Sequence, residues 1–216
     1  MNKHSNKNNI TNVNSNANSL VILDFETTGL SPDNGDRAIE VGAVKLENGV
    51  ILDRFQELMH PGRRVSSFIE NYTGITNAML SKAAPCNEVM ARFSDFIQGH
   101  NLVAHNASFD KRFLDNELSH ISANYDGQFV CSVLLSRRIN QSAPSHSLSN
   151  LIQYKNIPSN GSFHRALFDA EMTAKLWLVM LDDIKQQTGL EQIPFALVQK
   201  LTKTTKANVA KVLASY

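Results

Sequence analysis

The chain has little of what secreted and membrane proteins depend on. Only two cysteines, Cys86 and Cys131, occur among its 216 residues, and neither lies near other ligand-type side chains in the sequence. We therefore expect reduced thiols in or near a core rather than a disulfide framework. No apolar run approaches membrane-spanning length, and the N-terminal segment has no signal-peptide apolar stretch. These absences predict a cytoplasmic protein with no membrane partner.

A strong net charge is also missing, but the charges are unevenly distributed. The formal net charge at pH 7 is +1. Acidic residues outnumber basic ones between residues 20 and 184, which is what a carboxylate-lined metal site would give before its cations bind. Residues 185–216, in contrast, contain five lysines against Glu191 alone. The basic end could contact phosphates or could simply be a solvated face. The same choice applies to three basic pairs: Arg63-Arg64, Lys111-Arg112 and Arg137-Arg138.

The most informative feature is a set of four carboxylates and one histidine in three short blocks. The blocks are residues 23–29 with Asp24 and Glu26, residues 105–110 with Asp110, and residues 164–169 with His164 and Asp169. Each block lies at the edge of an apolar run, where burial of a carboxylate is unfavourable unless it is compensated. A shared Mg²⁺ or Mn²⁺ would compensate it, and two such ions side by side can stabilise both oxygens of a phosphodiester displacement.

The first block follows a continuous apolar run. Residues 20–23 predict a buried central strand, so Asp24 and Glu26, which are two residues apart, should emerge on one face at its carboxyl end. Open α/β sheets bind ligands beyond the carboxyl ends of their strands. Taken alone, the pattern favours a solvated turn, because two acids near a turn are common.

The second block predicts a strand that runs into a helix. Phe109, Phe113 and Leu118 mark the apolar stripe of that helix, with Ser108 as the predicted N-cap and Asp110 in the first turn. An acid in this position is also favoured by the helix dipole, so Asp110 could be a mere N-terminal charge.

The third block precedes a long helical stripe that begins at Ala170. Asp169 is adjacent to the stripe, and His164 lies just over one turn before it. A lone histidine near a helix start is more often a surface or cap residue than a base. The order of the three blocks strengthens all of them: two acids on a first strand, one on a middle helix, and a histidine with an acid on the last helix.

In this order and spacing the blocks resemble the three motifs of the DEDD exonucleases, and more narrowly the DEDDh branch of DnaQ-like 3′–5′ exonucleases. His164 decides the branch, because the sister branch has a tyrosine near this position. Residues 39–44 and 72–76 are similar to the family as well, and the likeness covers roughly residues 20 to 182.

The resemblance implies an α/β fold, a ribonuclease H-like mixed sheet flanked by helices. The sequence agrees independently: residues 37–46 and 50–59 are extended runs, and the Asn48-Gly49 pair between them is a strong hairpin signal. The other predicted elements are a capping box at residues 67–70, a helix at 87–98 ended by Gly99, and strands at 102–105 and 129–131.

The resemblance also implies roles for the five key residues. Asp24 would bridge two divalent cations, Mg²⁺ or Mn²⁺, and Glu26 and Asp169 would complete the site of the first. Asp110 would anchor the second cation beside the leaving 3′ oxygen. His164 would deprotonate the attacking water, since imidazole is suited to general-base work near neutral pH.

Further residues are candidates for substrate binding. Those that follow the first two metal ligands are expected to pack on the terminal nucleotide: Thr27, Thr28, Gly29 and Leu30. His105 and Asn106 are near-site candidates, although holding the end of the preceding strand is an equal alternative for them.

The implied reaction is hydrolysis of terminal phosphodiesters of DNA at single-stranded or frayed 3′ ends, releasing nucleoside 5′-monophosphates in proofreading or repair. An RNA-trimming exonuclease is the alternative within the same class. A catalytically silent nucleic-acid-binding or polymerase-interaction module is the alternative outside it, and the five intact key positions argue against that one. Any proofreading would need a polymerase or clamp partner, because no polymerase domain fits in this length.

We expect three segments. Residues 1–19 form an Asn- and Ser-rich disordered tail, residues 20–185 the exonuclease domain, and residues 186–216 a basic helical appendage. Three hypotheses apply to the appendage. It packs on the body through its apolar residues, tethers a polymerase or clamp through a poor clamp-binding peptide at residues 192–195, or holds DNA with its lysines.

Overall fold

The computed structural model describes residues 15–161 and 163–216. In these residues, one six-stranded sheet has the order β4-β3-β2-β1-β5-β6. Its strands are β1 (Leu20–Thr27), β2 (Ala38–Glu47), β3 (Val50–His60), β4 (Ala84–Pro85), β5 (Leu102–Ala104) and β6 (Phe129–Cys131). The pairs β1–β2 and β2–β3 are antiparallel, whereas β5 runs parallel to β1 and β6. The predicted mixed sheet with an antiparallel hairpin on one side is confirmed.

Helices cover both faces of the sheet. They are α1 (Ser67–Thr73), α2 (Asn77–Leu80), α3 (Cys86–Ile97), α4 (Ala107–Ser119), α5 (Ser132–Ile139), α6 (Leu148–Tyr154), α7 (Ala166–Thr188), α8 (Phe195–Lys203) and α9 (Val209–Leu213). Along β1, Ile22 packs in a core with Trp177 of α7, and Leu23 packs in the opposite core with Phe93 of α3. Both faces of β1 are therefore buried, which explains its continuous apolar run. Among the described residues, no helix combines the length and apolarity that a membrane crossing requires.

Local signals in the sequence located most elements. Asn48 and Gly49 adopt φ values of 52° and 80°, as the tight turn between β2 and β3 requires. Gly99, with φ of 74°, follows the end of α3. Strand β4 was not predicted, because two residues that pair with the end of β3 leave no periodic pattern. Both cysteines are free thiols.

Two predicted helix starts were wrong by one or two residues. The side chain of Ser66, not Ser67, accepts a hydrogen bond from the backbone N–H of Ile69, so the predicted capping box does not form. Helix α4 begins at Ala107, and Asn106 rather than Ser108 is the N-cap residue. Asn106 has φ of 72°, a conformation that asparagine adopts more readily than most residues.

The last residues of the expected tail are ordered. Ala17 is fully buried, its N–H donates to the carbonyl of Ile193 at 2.8 Å, and its carbonyl accepts from Trp177 Nε1 at 2.7 Å. Residues 15–19 therefore belong to the folded body, and the rest of the expected tail, residues 1–14, lies outside the described residues. The sequence does not show where the ordered part begins, because Asn and Ser are polar in ordered and in disordered segments alike.

The predicted boundary at residue 185 falls inside α7, which continues to Thr188. Beyond it, Leu197, Val198 and Leu201 are fully buried and join the same core as Trp177. The geometry agrees with the hypothesis of an appendage that packs on the body. Ile193 and Phe195 of the proposed clamp-binding peptide are each only 3% exposed, so that peptide is not available in this conformation.

Helix α7 approaches β2 more closely than any side chain would allow. A Cβ atom added to Gly42 would lie 2.0 Å from the backbone nitrogen of Leu167. Gly42 pairs with Asp24 of β1 in the sheet register. This glycine therefore lets the first turn of α7 lie directly beside the carboxyl end of β1.

Substitution Gly42→Ala should destabilise the protein by at least about 2 kcal/mol, because the clash is with backbone atoms that cannot rotate away. Urea unfolding monitored by Trp177 fluorescence measures this. As a control, Glu47→Ala changes an exposed residue of the same strand and should stay within about 0.5 kcal/mol. Equal stability of Gly42→Ala and wild type would show that α7 does not depend on this close approach.

Candidate active site

Three carboxylates meet at the carboxyl end of β1. Asp24 and Glu26 lie on the face of β1 that is covered by α7, and Asp169 projects from the first turn of α7. One oxygen from each of the three lies within 4.8 Å of the other two. The strand alternation predicted from the sequence thus places two acids on one face, and the helix supplies the third.

A fourth carboxylate reaches the same point from α4. Asp110 is only 2% exposed, and its Oδ1 accepts a hydrogen bond from the backbone N–H of Phe25 at 3.1 Å. Phe25 lies between the two acids of β1, so this bond ties α4 directly to the carboxylate cluster. The other oxygen of Asp110 remains available to a ligand.

The backbone before α7 orients both predicted residues of the third block. Oδ2 of Asp169 accepts from the backbone N–H groups of His164 and Arg165 at 2.7 and 3.1 Å. His164 has φ of 71° and an exposed side chain, whose ring lies 4.1 Å, centroid to centroid, from the ring of Tyr72. The histidine is therefore free to reach a ligand while its backbone is fixed by the acid.

A buried ion pair that the sequence analysis did not single out holds this arrangement. The guanidinium of Arg165 donates to both oxygens of Glu40 at 2.8 and 3.2 Å, and Glu40 has no solvent exposure. The backbone N–H of Ala166 donates to the same carboxylate at 3.0 Å. The only sequence signal was an acid inside the apolar run of residues 39–44, where a charge requires a partner.

The five key residues line one cavity of about 720 Å³. Its opposite wall comes from α1, whose Phe68 and Tyr72 are 70% and 52% exposed and stack with their ring centroids 5.9 Å apart. The six further predicted residues also line it: Thr27, Thr28, Gly29, Leu30, His105 and Asn106. All predicted site residues are thus brought together, and the aromatic wall is the part that sequence reasoning missed.

Comparisons with known proteins agree with this geometry. A family model described as exonuclease matches residues 21–177. The chain belongs to the exonuclease family. It is 35% identical, over 81% of its length, to a PolC-type DNA polymerase III from Caldanaerobacter subterraneus, but covers only 12% of that protein.

Solved structures confirm the ribonuclease H-like fold. Exonuclease X in complex with 5′ overhanging duplex DNA is 25% identical with a TM-score of 0.62, covering 90% of this chain and 99% of that one. The nuclease domain of 3′hExo, a DEDDh family member bound to rAMP, has a TM-score of 0.66 at 22% identity, covering 77% and 92% of the two chains.

The carboxylates of this exonuclease are held in an environment that disfavours their charges. Burial, then the neighbouring acids, raises the pKa of Asp24 well above its usual range. Burial and the charges of Asp169 and Glu40 raise the pKa of Glu26 to about 8. Burial also raises the pKa values of Asp110 and Asp169. Without a cation, the cluster is therefore a source of repulsion.

The donor set fits hard divalent cations. Exonucleases of this family normally use divalent metal ions, and carboxylate oxygens are the ligands that Mg²⁺ and Mn²⁺ prefer. Within the described residues, the metal-type cluster of Asp24, Glu26 and Asp169 contains neither cysteine nor histidine. The residues present thus match the expected cofactor.

The loop after Glu26 is held by its own hydrogen bonds. The Thr28 hydroxyl donates to Asp36 at 3.1 Å and accepts from the guanidinium of Arg63 at 2.8 Å. The Thr27 hydroxyl donates to the carbonyl of Gly29 at 2.6 Å. Leu30 is 78% exposed, so an apolar side chain is presented to whatever enters the cavity.

His105 is constrained more than a substrate ligand would be. Its Nδ1 lies 2.8 Å from the Ser132 hydroxyl, and its Nε2 lies 3.1 Å from the backbone carbonyl of His146. Burial lowers its pKa to about 4, so the ring is neutral near pH 7. Nε2 then donates to the carbonyl and Nδ1 accepts from the hydroxyl. This geometry favours the alternative in which His105 holds the end of β5.

We expect the metal-free protein to lose stability as the pH rises from about 5 to 8. Carboxyl groups have a pKa near 4 in an unfolded chain, and the raised values here mean that the folded state keeps protons the unfolded state has released. The contribution of these carboxyl groups to the free energy of unfolding is fully present at low pH. It is lost as the pH rises through the pKa of the folded state, which is about 8 for Glu26. Adding Mg²⁺ at pH 8 should restore the melting temperature.

The change Asp24→Asn isolates this effect, since it removes one of the clustered charges. At pH 8 in EDTA it should raise the melting temperature by at least about 2 °C, the smallest shift expected for 1 kcal/mol in a domain of this size. The same change at exposed Asp33 is the matched control. The lowered pKa of His105 makes the folded protein more stable as the pH rises, which opposes the effect of the carboxylates. Both variants keep His105, so a comparison at one pH cancels its effect. A variant less stable than wild type would contradict the repulsion.

Proposed function

We propose that this chain is a metal-dependent 3′–5′ exonuclease that hydrolyses terminal phosphodiesters of DNA and releases nucleoside 5′-monophosphates. The observation that carries the proposal is the convergence of four carboxylates and one exposed histidine on a single cavity. Single-stranded or frayed 3′ ends are the expected substrates, because a cavity of about 720 Å³ is in the range of small-ligand sites and too small for a duplex.

Two divalent cations, when bound, would polarise the scissile phosphate and lower the pKa of the attacking water. Asp24 would contribute to both cation sites, Glu26 and Asp169 to the first, and Asp110 to the second. Asp110 lines the same cavity and is positioned by the Phe25 N–H, which donates to its Oδ1. Asp169 is likewise oriented by the two backbone N–H groups before α7.

His164 would take the proton of the attacking water as general base. Its exposed ring and its left-handed backbone place it at the rim of the cavity beside Asp169. The carboxylate accepts from its backbone rather than its ring, so the imidazole keeps both nitrogens for substrate or water.

The aromatic wall would hold the terminal nucleotides. Phe68 and Tyr72 are stacked and largely exposed, which is the arrangement that single-strand-binding proteins use for stacking bases. Tyr72 lines the same cavity as the carboxylates, and after burial the charges of Glu26, Asp169 and Asp24 raise its pKa. A base stacked there would have its phosphate near the cluster. Thr27–Leu30 would close the other side.

DNA is favoured as substrate by the relatives. The PolC-type relative is named as a DNA polymerase and exonuclease X is bound to DNA, whereas 3′hExo is bound to a ribonucleotide. We infer a role in proofreading or repair, with a polymerase as partner, from the PolC likeness. A cytoplasmic location remains a prediction of the sequence.

Asp24→Asn and His164→Ala should each lower kcat on a 3′-labelled single-stranded DNA oligonucleotide with Mg²⁺. Loss of a general base lowers the rate by about 10²- to 10⁴-fold, and loss of the shared metal ligand by at least as much. His120→Ala changes an exposed histidine on the far end of α4 and serves as the matched control.

Wild-type rates in either folded variant would overturn the assignment. The same assay on a matched RNA oligonucleotide tests the substrate. A tenfold or greater preference for RNA would replace DNA by RNA in the proposal and leave the catalytic roles unchanged.

Tyr72→Ala should raise KM for single-stranded DNA about 5- to 150-fold, since stacking on an aromatic ring contributes about 1–3 kcal/mol per base. Tyr72→Phe keeps the ring and should stay near the wild-type KM. If both variants lose kcat equally and keep KM, the hydroxyl rather than the ring matters, and the stacking role is wrong.

A further inference from the structure

Acidic residues are absent from two long stretches of this chain. Residues 127–168 and residues 192–216 contain no Asp or Glu, although the whole chain has 20 of them. The first stretch lies between Asp126 and Asp169, and the second follows Glu191. Such segregation is unusual on a body that is otherwise rich in acids.

The fold brings the two stretches together. Helix α8 of the second packs against α5 of the first. At the end of α5, the guanidinium of Arg138 donates to the carbonyl of Thr204. The side-chain amide of Gln141 donates to the carbonyl of Lys206 at 3.2 Å. The two stretches without acidic residues are thus in direct contact at the β6 edge of the sheet.

Basic side chains from three segments converge on the surface at this edge of the sheet. Arg137 is exposed in the last turn of α5, Lys206 is exposed after α8, and His146 lies in the loop before α6. After burial, the charges of Arg137 and Lys206 lower the pKa of His146, so both cations lie near its ring. In the part of the chain that the structure describes, neither cation forms an ion pair.

The same surface begins at the rim of the catalytic cavity. The backbone carbonyl of His146 accepts from Nε2 of His105, and both His105 and Leu148 line the cavity. The Nδ1 atom of His146 lies 2.6 Å from the hydroxyl of Ser136 in α5. The loop around His146 thus connects the site of chemistry with the basic side chains.

We propose that Arg137 and Lys206, which with the neighbouring His146 form what we call the α5–α8 basic surface, bind the phosphodiester backbone of single-stranded DNA where the strand leaves the catalytic cavity. This inference rests on the proposed function and extends it beyond the terminal nucleotides. Charge complementarity selects the occupant: a polyanion gains from these two cations, which form no ion pair within the described residues. The acidic remainder of the body would repel the strand and so direct it across this surface.

Equilibrium binding of fluorescent oligonucleotides in EDTA, where hydrolysis has no metal to support it, tests the proposal. The variant Arg137→Gln/Lys206→Gln should bind a 20-nucleotide single strand at least about fivefold more weakly at low salt. The slope of log K against log salt concentration should fall by about 1.4, because each phosphate contact on a single strand contributes about 0.7. A trinucleotide, which is too short to leave the cavity, should bind both proteins equally.

The controls use matched charges. Lys82→Gln removes an exposed lysine just before β4, at the opposite edge of the sheet, and should leave affinity and slope unchanged. Lys206→Arg keeps the charge and should bind like wild type. Truncation of the C-terminal segment is unsuitable, because Leu197 and Leu201 are part of the core.

The proposal is overturned if the double variant binds the 20-nucleotide strand with unchanged affinity and salt slope. It is also overturned if Lys82→Gln weakens binding of that strand as much as the double variant does, or if the double variant loses as much affinity for the trinucleotide as for the long strand. Hydrolysis of the p-nitrophenyl ester of thymidine 5′-monophosphate with Mg²⁺ separates this inference from the catalytic one. The double variant should keep the wild-type rate on that ester. If wild type does not hydrolyse it, the proposed chemistry fails while the binding comparison still decides the role of the surface.

Discussion

The ion pair between Arg165 and Glu40 fixes the first turn of α7 against the sheet, and this contact brings His164 and Asp169 to the carboxylates of β1. Glu40 is fully buried, and three groups donate to its carboxylate: the guanidinium of Arg165, the Ala166 N–H and the side-chain amide of Gln56. Removing one partner of such a pair would leave an uncompensated buried charge. Gly42, two residues along β2, lets the backbone of α7 come close enough for Asp169 to join Asp24 and Glu26.

The same arrangement creates a conflict between stability and chemistry. Four carboxylates with raised pKa values lie together in a partly dehydrated site, and the surrounding body is acidic. The fold holds them with backbone N–H donors to Asp110 and Asp169 and with two cores that cover both faces of the sheet. The repulsion among the carboxylates persists because the packing of the surrounding structure fixes the backbone that carries them. A divalent cation would relieve the repulsion.

The segments before and after the region matched by the family model are part of the same body. Residues 15–19 and the helices beyond α7 share the core that contains Trp177, and the Asn16–Pro194 bridge joins the two. The C-terminal lysines are therefore presented by a packed scaffold rather than by a loose extension. The helix that precedes Lys206 packs on α5, and the loop that carries His146 contacts His105 of the cavity. The α5–α8 basic surface therefore has a fixed position next to the cavity.

The sequence by itself determined the elements and the chemical types at the site. Strand alternation placed Asp24 and Glu26 on one face, and the Asn48-Gly49 turn fixed the hairpin. The order of the three blocks indicated the catalytic set. Strand and turn signals are local, and local geometry follows from the spacing of residues. It could not locate the Ser66 and Asn106 caps to within a residue, the ordered start at residue 15, or the aromatic wall of Phe68 and Tyr72. It also left open whether His105 binds substrate or holds β5. Those depend on which side chains meet across distant parts of the chain, and tertiary packing alone decides that.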